Sequence, residues 1–268
     1  MVPPRQGAAA PPGLRVTFVD PSGEGVNVDP GDAEHIPLDL ARPARQIPSY
    51  RGQRHFPGYW WSATTGSHIV YESWLERHHI MAADQDPAVV AISSQPCLLT
   101  WPEGSRVRQH VPDLFLRRVD GTAVLLDCRP VRRRDERFDA TVEVTAAFCA
   151  QVGWGYAVVG EPEPVPAANL RWLAGYRHPR FHDTSVATRL EEVFTAAARL
   201  RDGAVRVGDE LAVLPVAYHL LWCGVLRFDE LAPLSPGHPG LAGGCADPVM
   251  TTVPRLCLGS RVLIDGEP

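Results

Sequence analysis

Lysine is absent: all 26 basic residues of this 268-residue chain are arginine. That excludes any mechanism built on a lysine amine, Schiff bases included. Cysteine is sparse and scattered, at 97, 128, 149, 223, 245 and 257 with no CxxC pair, so neither a zinc ribbon nor a disulfide framework is indicated. No apolar run nears the roughly 20 residues needed to span a bilayer. The opening MVPPRQGAAAPPG lacks the apolar core of a signal peptide, so the expected location is cytoplasmic, without a membrane partner. The net charge of −5 gives no overall basic footprint, and any nucleic-acid contact must come from local clusters.

What is present is organised around VPDLFLRRVDGTAVLLDCR, 111–129. Two runs of alternating apolar residues flank Asp120-Gly121, a hairpin signal. A three-residue loop, Val119-Asp120-Gly121, with Gly121 in the left-handed region, pairs Arg118 with Thr122. Counting outward, Asp113 then faces Asp127, with Arg129 on the same side two residues on. A two-residue turn would pair Asp113 with Cys128 and send the acids to opposite faces. We adopt the three-residue loop. Two carboxylates side by side point to a divalent metal site; a solvated strand face is the other reading of the hairpin alone.

Along the chain, 14–19 reads as a short strand and 34–66 as a segment rich in proline, arginine and aromatics. Its Arg51, Arg54, His55 and Tyr59-Trp60-Trp61 could hold phosphates and stack on bases, or pack their rings over the first helix. That helix is expected over 69–83, from an apolar stripe of Val70, Trp74, Leu75, His78 and Met81, with Glu72 and Glu76 sharing another face. A strand over 89–101 carries Gln95-Pro96. After the hairpin come a helix over 135–152, stopped by Gly153, and a buried strand over 155–160. The order is helix, three strands, helix, strand.

The run EPEPVP at 161–166 marks a boundary. Beyond it, 171–180 reads as a linker, 185–200 and 214–223 as helices, and 225–234 as extended, which fits a small winged-helix module. The expected divisions are a partly disordered extension (1–45), a first domain (46–163), a second (167–235) and a tail (236–268).

The first domain resembles the PD-(D/E)xK nucleases, whose restriction-endonuclease-like core has the order αβββαβ. The motif here is Pro112-Asp113 followed by Asp127-Cys128-Arg129. More specifically it is similar to the TnsA-type endonuclease subunit of heteromeric transposases, through YESWLERHH (71–79), DPAVVAISSQP (86–96), HVPDLFLRRVDG (110–121) and VLLDCRP (124–130). The stretch AVLPVAYHLLWCG (212–224) resembles that family's winged-helix part.

The resemblance implies an α/β fold and metal-dependent hydrolysis of DNA phosphodiesters with Mg²⁺ or Mn²⁺. It makes Glu76 the helical acid, ahead of Glu72, Asp113 the acid contacting both metals, and Asp127 the second strand acid. The backbone carbonyl of Cys128 would be a further ligand. Arg129 occupies the usual lysine slot and, keeping its charge, can orient and stabilise but not act as base. Arg132, Arg133, Arg134 and Arg137 could contact the DNA backbone or form a solvated helix start. Implied partners are double-stranded DNA, a DDE-type transposase subunit and an AAA+ ATPase regulator. A catalytically inactive assembly subunit and a stand-alone restriction-like nuclease are the alternatives.

Overall fold

The structure, a computed structural model, describes residues 10–45, 56–234 and, as backbone, 249–252. Readings placed on 1–9, on Arg51, Arg54 and His55, and on most of the tail lie outside these. The described residues divide into two compact units: 10–45, 56–84 and 88–161 in the first, and 85–87, 162–234 and 249–252 in the second. The chain is a mixed α/β protein. Among the described residues no helix is long and apolar enough to cross a membrane.

In the first unit, β1 (Arg15–Val19) and β2 (Gly25–Val28) precede a hairpin of β3 (Gly58–Trp61) and β4 (His68–Tyr71). Helix α1 (Trp74–Gln85) follows, then β5 (Val89–Ser94), β6 (Leu98–Glu103), β7 (Arg106–His110), β8 (Leu114–Arg118) and β9 (Ala123–Cys128). Helix α2 (Glu136–Gln151) and β10 (Gly155–Val159) close the unit. One sheet has the order β10-β9-β8-β5, with β10 parallel to β9; a second, antiparallel, has the order β2-β1-β6-β7.

The core lies between these layers. Phe115, Ala123 and Leu125 project from the central sheet, Phe148, Cys149 and Val152 from α2, and Leu14, Val16, Phe18, Leu99 and Trp101 from the second sheet. Trp154 sets its ring edge-on to Phe115 and Phe148, at 5.2 and 5.8 Å between centroids. Part of the expected N-terminal extension is therefore core, with Ile36 and Leu38 also buried in it.

Three expectations for this unit need correction. The first helix begins at Trp74, not 69: the β-branched Ile69 and Val70 pair with Trp60 and Tyr59 across a hairpin instead. Trp74 consequently lies outside, 56 % exposed, under the Arg77 guanidinium, and is no part of an apolar stripe. The single strand expected over 89–101 is two strands in different sheets, because Gln95 takes φ of 50° and Pro96 follows, turning the chain out of the ladder. The intervening β7, which carries His110, was not anticipated: RVRQH has no apolar alternation to mark it.

The second unit contains α3 (Pro164–Leu173), α4 (Thr184–Val193), β11 (Ala198–Arg199), α5 (Leu200–Val207), α6 (Glu210–Trp222), β12 (Leu226–Arg227) and β13 (Val249–Thr252). Helices α4, α5 and α6 pack together, and β13 lies between β11 and β12. The expected linker over 171–180 is instead the end of α3 and two short 3-10 turns, and the helix expected over 185–200 splits at Val193. Asn169 ties α3 to the chain beyond α6, donating to the carbonyls of Glu230 and Ala232 and accepting from Leu234 N–H.

One buried carboxylate fixes the β3–β4 hairpin on α1. Asp84, 5 % exposed, accepts from Trp60 Nε1 (2.9 Å), Ser62 Oγ (2.6 Å) and the backbone N–H groups of Ala63 (3.1 Å) and Thr64 (2.8 Å). Removing it strands four donors. Asp84→Ala is expected to cost about 2–4 kcal/mol in urea unfolding, with Asp84→Asn losing less; a cost below about 0.5 kcal/mol would contradict this.

Candidate active site

The β8–β9 connection is the three-residue loop. Arg118 N–H donates to Thr122 O at 2.9 Å, Gly121 N–H donates to Arg118 O at 2.9 Å, and Gly121 has φ of 84°. Asp120 braces it, accepting from Thr122 N–H and Oγ1. The ladder runs from Arg117 opposite Ala123 to Leu114 opposite Leu126. Asp113 lies just outside β8, one residue before that last pair, with its N–H donating to Leu126 O at 3.0 Å, and Asp127 follows Leu126 in β9, so both acids stand at the same end of the two inner strands of the sheet.

The two acids have different partners. Asp113 Oδ2 accepts from Cys128 N–H at 2.6 Å. Asp127, 2 % exposed, accepts from Tyr156 Oη–H, and its Oδ2 is 2.9 Å from His110 Nε2. Glu76 is 8 % exposed in the first turn of α1; its Oε2 accepts from Glu72 N–H (2.8 Å) and its Oε1 from Ser73 Oγ (2.8 Å). Glu72 lies just before the helix, pairing with Arg45 at 2.7 Å and accepting from Gln95 Nε2 at 2.9 Å.

Electrostatics ties these carboxylates together. Burial pushes Asp113 well above the ordinary carboxylate range, and the nearby charges of Asp127 and Glu76 push it further; Cys128 N–H and Arg45 offset only part of this. Glu76 is raised as well, by burial first and then by Glu72 against the hydrogen bonds it accepts. The Cys128 thiol is raised by burial and by Asp113, and the Tyr156 hydroxyl by burial and Asp127, so both stay protonated.

The remaining candidates sit on the surface. Arg129 donates from Nε to Arg133 O at 2.9 Å and lays its guanidinium over the Phe138 ring at 4.9 Å, rather than reaching the acids. Arg132, Arg133, Arg134 and Arg137 are exposed on the turn between β9 and α2 and on that helix's first turn, which Asp135 caps through Phe138 N–H. His110, Tyr156, Ser73 and Arg45 were not anticipated. His110 three residues before Asp113 was the one available signal, since a β7 side chain can reach across to Asp127 only if β6 and β7 leave the central sheet.

A hard divalent ion suits these donors in kind: oxygen ligands from several carboxylates, with a negative charge that burial leaves poorly neutralised. Among the described residues, however, no three His, Cys, Asp or Glu side chains are gathered around one point. Each carboxylate is turned to a protein donor. An ion would draw Glu76 from Ser73 and Asp127 from His110 or Tyr156.

Both upward shifts mean that the folded protein holds these protons more tightly than the unfolded chain. Their contribution to stability is present at low pH and lost as pH climbs from the ordinary carboxylate range through the raised values. Asp113→Asn keeps an acceptor for Cys128 N–H without the charge. It is expected to melt about 3 °C or more above the native chain at pH 7.5 and to match it near pH 4; equal melting at both pH values would contradict the assignment.

No family model matches the chain, and no curated protein matches it, so its functional reading stands on this geometry and on the motifs that the geometry arranges.

Proposed function

We propose that the chain is the metal-dependent DNA endonuclease subunit of a heteromeric transposase, hydrolysing phosphodiester bonds at the 5′ ends of a mobile element. The observation that carries this reading is the three-residue loop that brings Asp113 and Asp127 to the same end of two adjacent strands, with Glu76 close enough to raise the Asp113 carboxyl. Helix α1, the strands β5, β8 and β9, then α2 and β10 follow the restriction-endonuclease-like order αβββαβ, with β6 and β7 as an insertion. Residues 46–163 are the nuclease domain of this scheme.

Glu76, Asp113, Asp127 and the Cys128 carbonyl would hold Mg²⁺ or Mn²⁺, which supplies Lewis acidity at the phosphate and activates water for attack. The chain's own residues do the rest. His110 and Tyr156 would fix the Asp127 carboxylate, as outer-shell partners orient a ligand. Arg129, always charged, can swing from the Phe138 face to stabilise developing charge, but cannot accept a proton. The exposed Arg132, Arg133, Arg134 and Arg137 offer the duplex backbone four cations beside the active strand.

In the second unit, the order α4-β11-α5-α6-β12-β13 and the sheet order β11-β13-β12 support a winged-helix domain over 167–235. Its α6 buries Val213 and every residue from Val216 to Trp222 and carries no arginine. That stretch is buried on every side and cannot lie in a groove of DNA, and the exposed first turn offers Leu211 and Ala212 rather than a cation. We therefore assign the unit to a protein partner, the AAA+ regulator, while the nuclease domain works beside a DDE-type transposase in the cytoplasm. Ending the chain after Glu163 is expected to abolish pull-down by the ATPase; undiminished binding would refute this.

A second reading, a catalytically inactive assembly subunit, is favoured by one observation: Arg129 is turned from the acids and Asp127 is capped by His110 and Tyr156. Nicking of supercoiled plasmid with Mn²⁺ and the transposase partners separates the two. The nuclease reading expects cleavage by the native chain, none by Asp113→Ala, retained cleavage by Arg129→Lys and a loss of ~100-fold or more in Arg129→Ala. No metal-dependent nicking by the native chain, with partners present, would establish the inactive subunit.

A further inference from the structure

Gln95 departs from its surroundings in two independent ways. It is the one non-glycine residue with positive φ among the described residues, at 50°. Its side-chain Oε1 is also buried without a hydrogen-bond partner, in a residue only 1 % exposed. Every other polar group of Gln95 is used: its N–H donates to Asp113 O (2.8 Å), its carbonyl accepts from Ala44 N–H (2.8 Å), and Nε2 donates to Glu72 Oε1 (2.9 Å). Turning the amide over would set oxygen against the Glu72 carboxylate, so Glu72 fixes which atom is orphaned.

The position of Gln95 matters as much as its strain. The β5–β8 ladder ends with Ser94 opposite Leu114, and one further step sets Gln95 opposite Asp113. Asp113 in turn borders β9 on either side of Asp127, its N–H donating to Leu126 O at 3.0 Å and its Oδ2 accepting from Cys128 N–H at 2.6 Å. Gln95, Asp113 and Asp127 thus lie at the same end of three adjacent strands, Gln95 bonded to the Asp113 backbone. A strained backbone and a buried unpaired acceptor each destabilise the fold, and such outliers gather where a ligand later satisfies them. An amide carbonyl is a standard neutral ligand for hard divalent ions, alongside carboxylates.

We propose that Gln95 Oε1 is a neutral oxygen ligand of the divalent cation, shared with Asp113 and Glu76, and that Glu72, itself held by Arg45, orients the amide for this. The proposal rests on the nuclease reading. It gives Glu72 a positioning role rather than a ligand's, and it accounts for a glutamine kept in a backbone conformation that glycine would occupy without strain.

The test is Mn²⁺ titration of the full chain by calorimetry, with thermal unfolding in EDTA and in Mn²⁺. Gln95→Gly relieves the backbone and removes the orphaned oxygen, so it is expected to be at least as stable as the native chain in EDTA. It should nevertheless bind Mn²⁺ ~10-fold or more weakly and show a smaller Mn²⁺-induced rise in Tm. Gln95→Glu keeps an oxygen and adds a charge beside Glu72; it should melt lower in EDTA and bind Mn²⁺ at least as tightly as the native chain. Native affinity in Gln95→Gly, while Asp113→Asn weakens binding, would overturn the role of Gln95 and leave the metal site standing. If Gln95→Gly does not unfold cooperatively, Gln95→Glu decides, and weakened binding there overturns the proposal. Mn²⁺ binding that is absent in the native chain, or unchanged in Asp113→Asn, overturns the metal site and this inference together.

Discussion

One residue in a turn decides the site. Because strand side chains alternate with a period of two, the three-residue loop at Val119-Asp120-Gly121 sets Leu114 against Leu126 and brings Asp113 to the end of the ladder beside Asp127, whereas a two-residue turn would have shifted every pair by one. Gly121, at φ of 84°, lets the chain make that loop without strain, and Asp120 braces it through Thr122. On the other side of β8 the ladder to β5 ends at Ser94 and Leu114, and the next residue, Gln95, donates its N–H to Asp113 O.

Burying Glu76, Asp113 and Asp127 costs stability, as the upward displacement of Asp113 and Glu76 records. Protein donors meet part of that cost. Ser73 and the Glu72 N–H serve Glu76, Cys128 N–H serves Asp113, and His110 with Tyr156 serves Asp127. A divalent ion among them would relieve repulsion that hydrogen bonds cannot, which links catalysis to stability in one set of atoms. The absence of lysine then has a chemical meaning. In the proposed nuclease Arg129 stands where lysine is usual and, keeping its charge, would act through charge stabilisation alone.

The hairpin was legible in the sequence because its signals are local: alternation on either side, an Asp-Gly turn, and a parity count that needs no distant partner. The α2 helix and β10 were legible for similar reasons, with Gly153 as stop. What was missed depends on long-range pairing. Ile69 and Val70 suit a helix stripe or a strand equally, and only the hairpin with Tyr59 and Trp60 decides. The break at Ser93-Ser94-Gln95-Pro96 is short and lies between two apolar runs, 88–92 and 97–99, so two strands in two sheets read as one. His110 and Tyr156 were invisible as site residues because their meeting at Asp127 joins three strands separated by 17 and 29 positions. The rotation of Arg129 onto Phe138 is likewise a tertiary choice between two acceptable partners.

The central claim, that these carboxylates form a metal centre, is tested most directly by locating the ion. A crystal of the full chain soaked in Mn²⁺ and measured near the manganese absorption edge should show an anomalous peak bounded by Glu76 and Asp113, with the Asp127 carboxylate turned toward it and away from His110. No peak at millimolar Mn²⁺, with Glu76 still on Ser73 and Asp127 still held by His110 and Tyr156, would contradict the account.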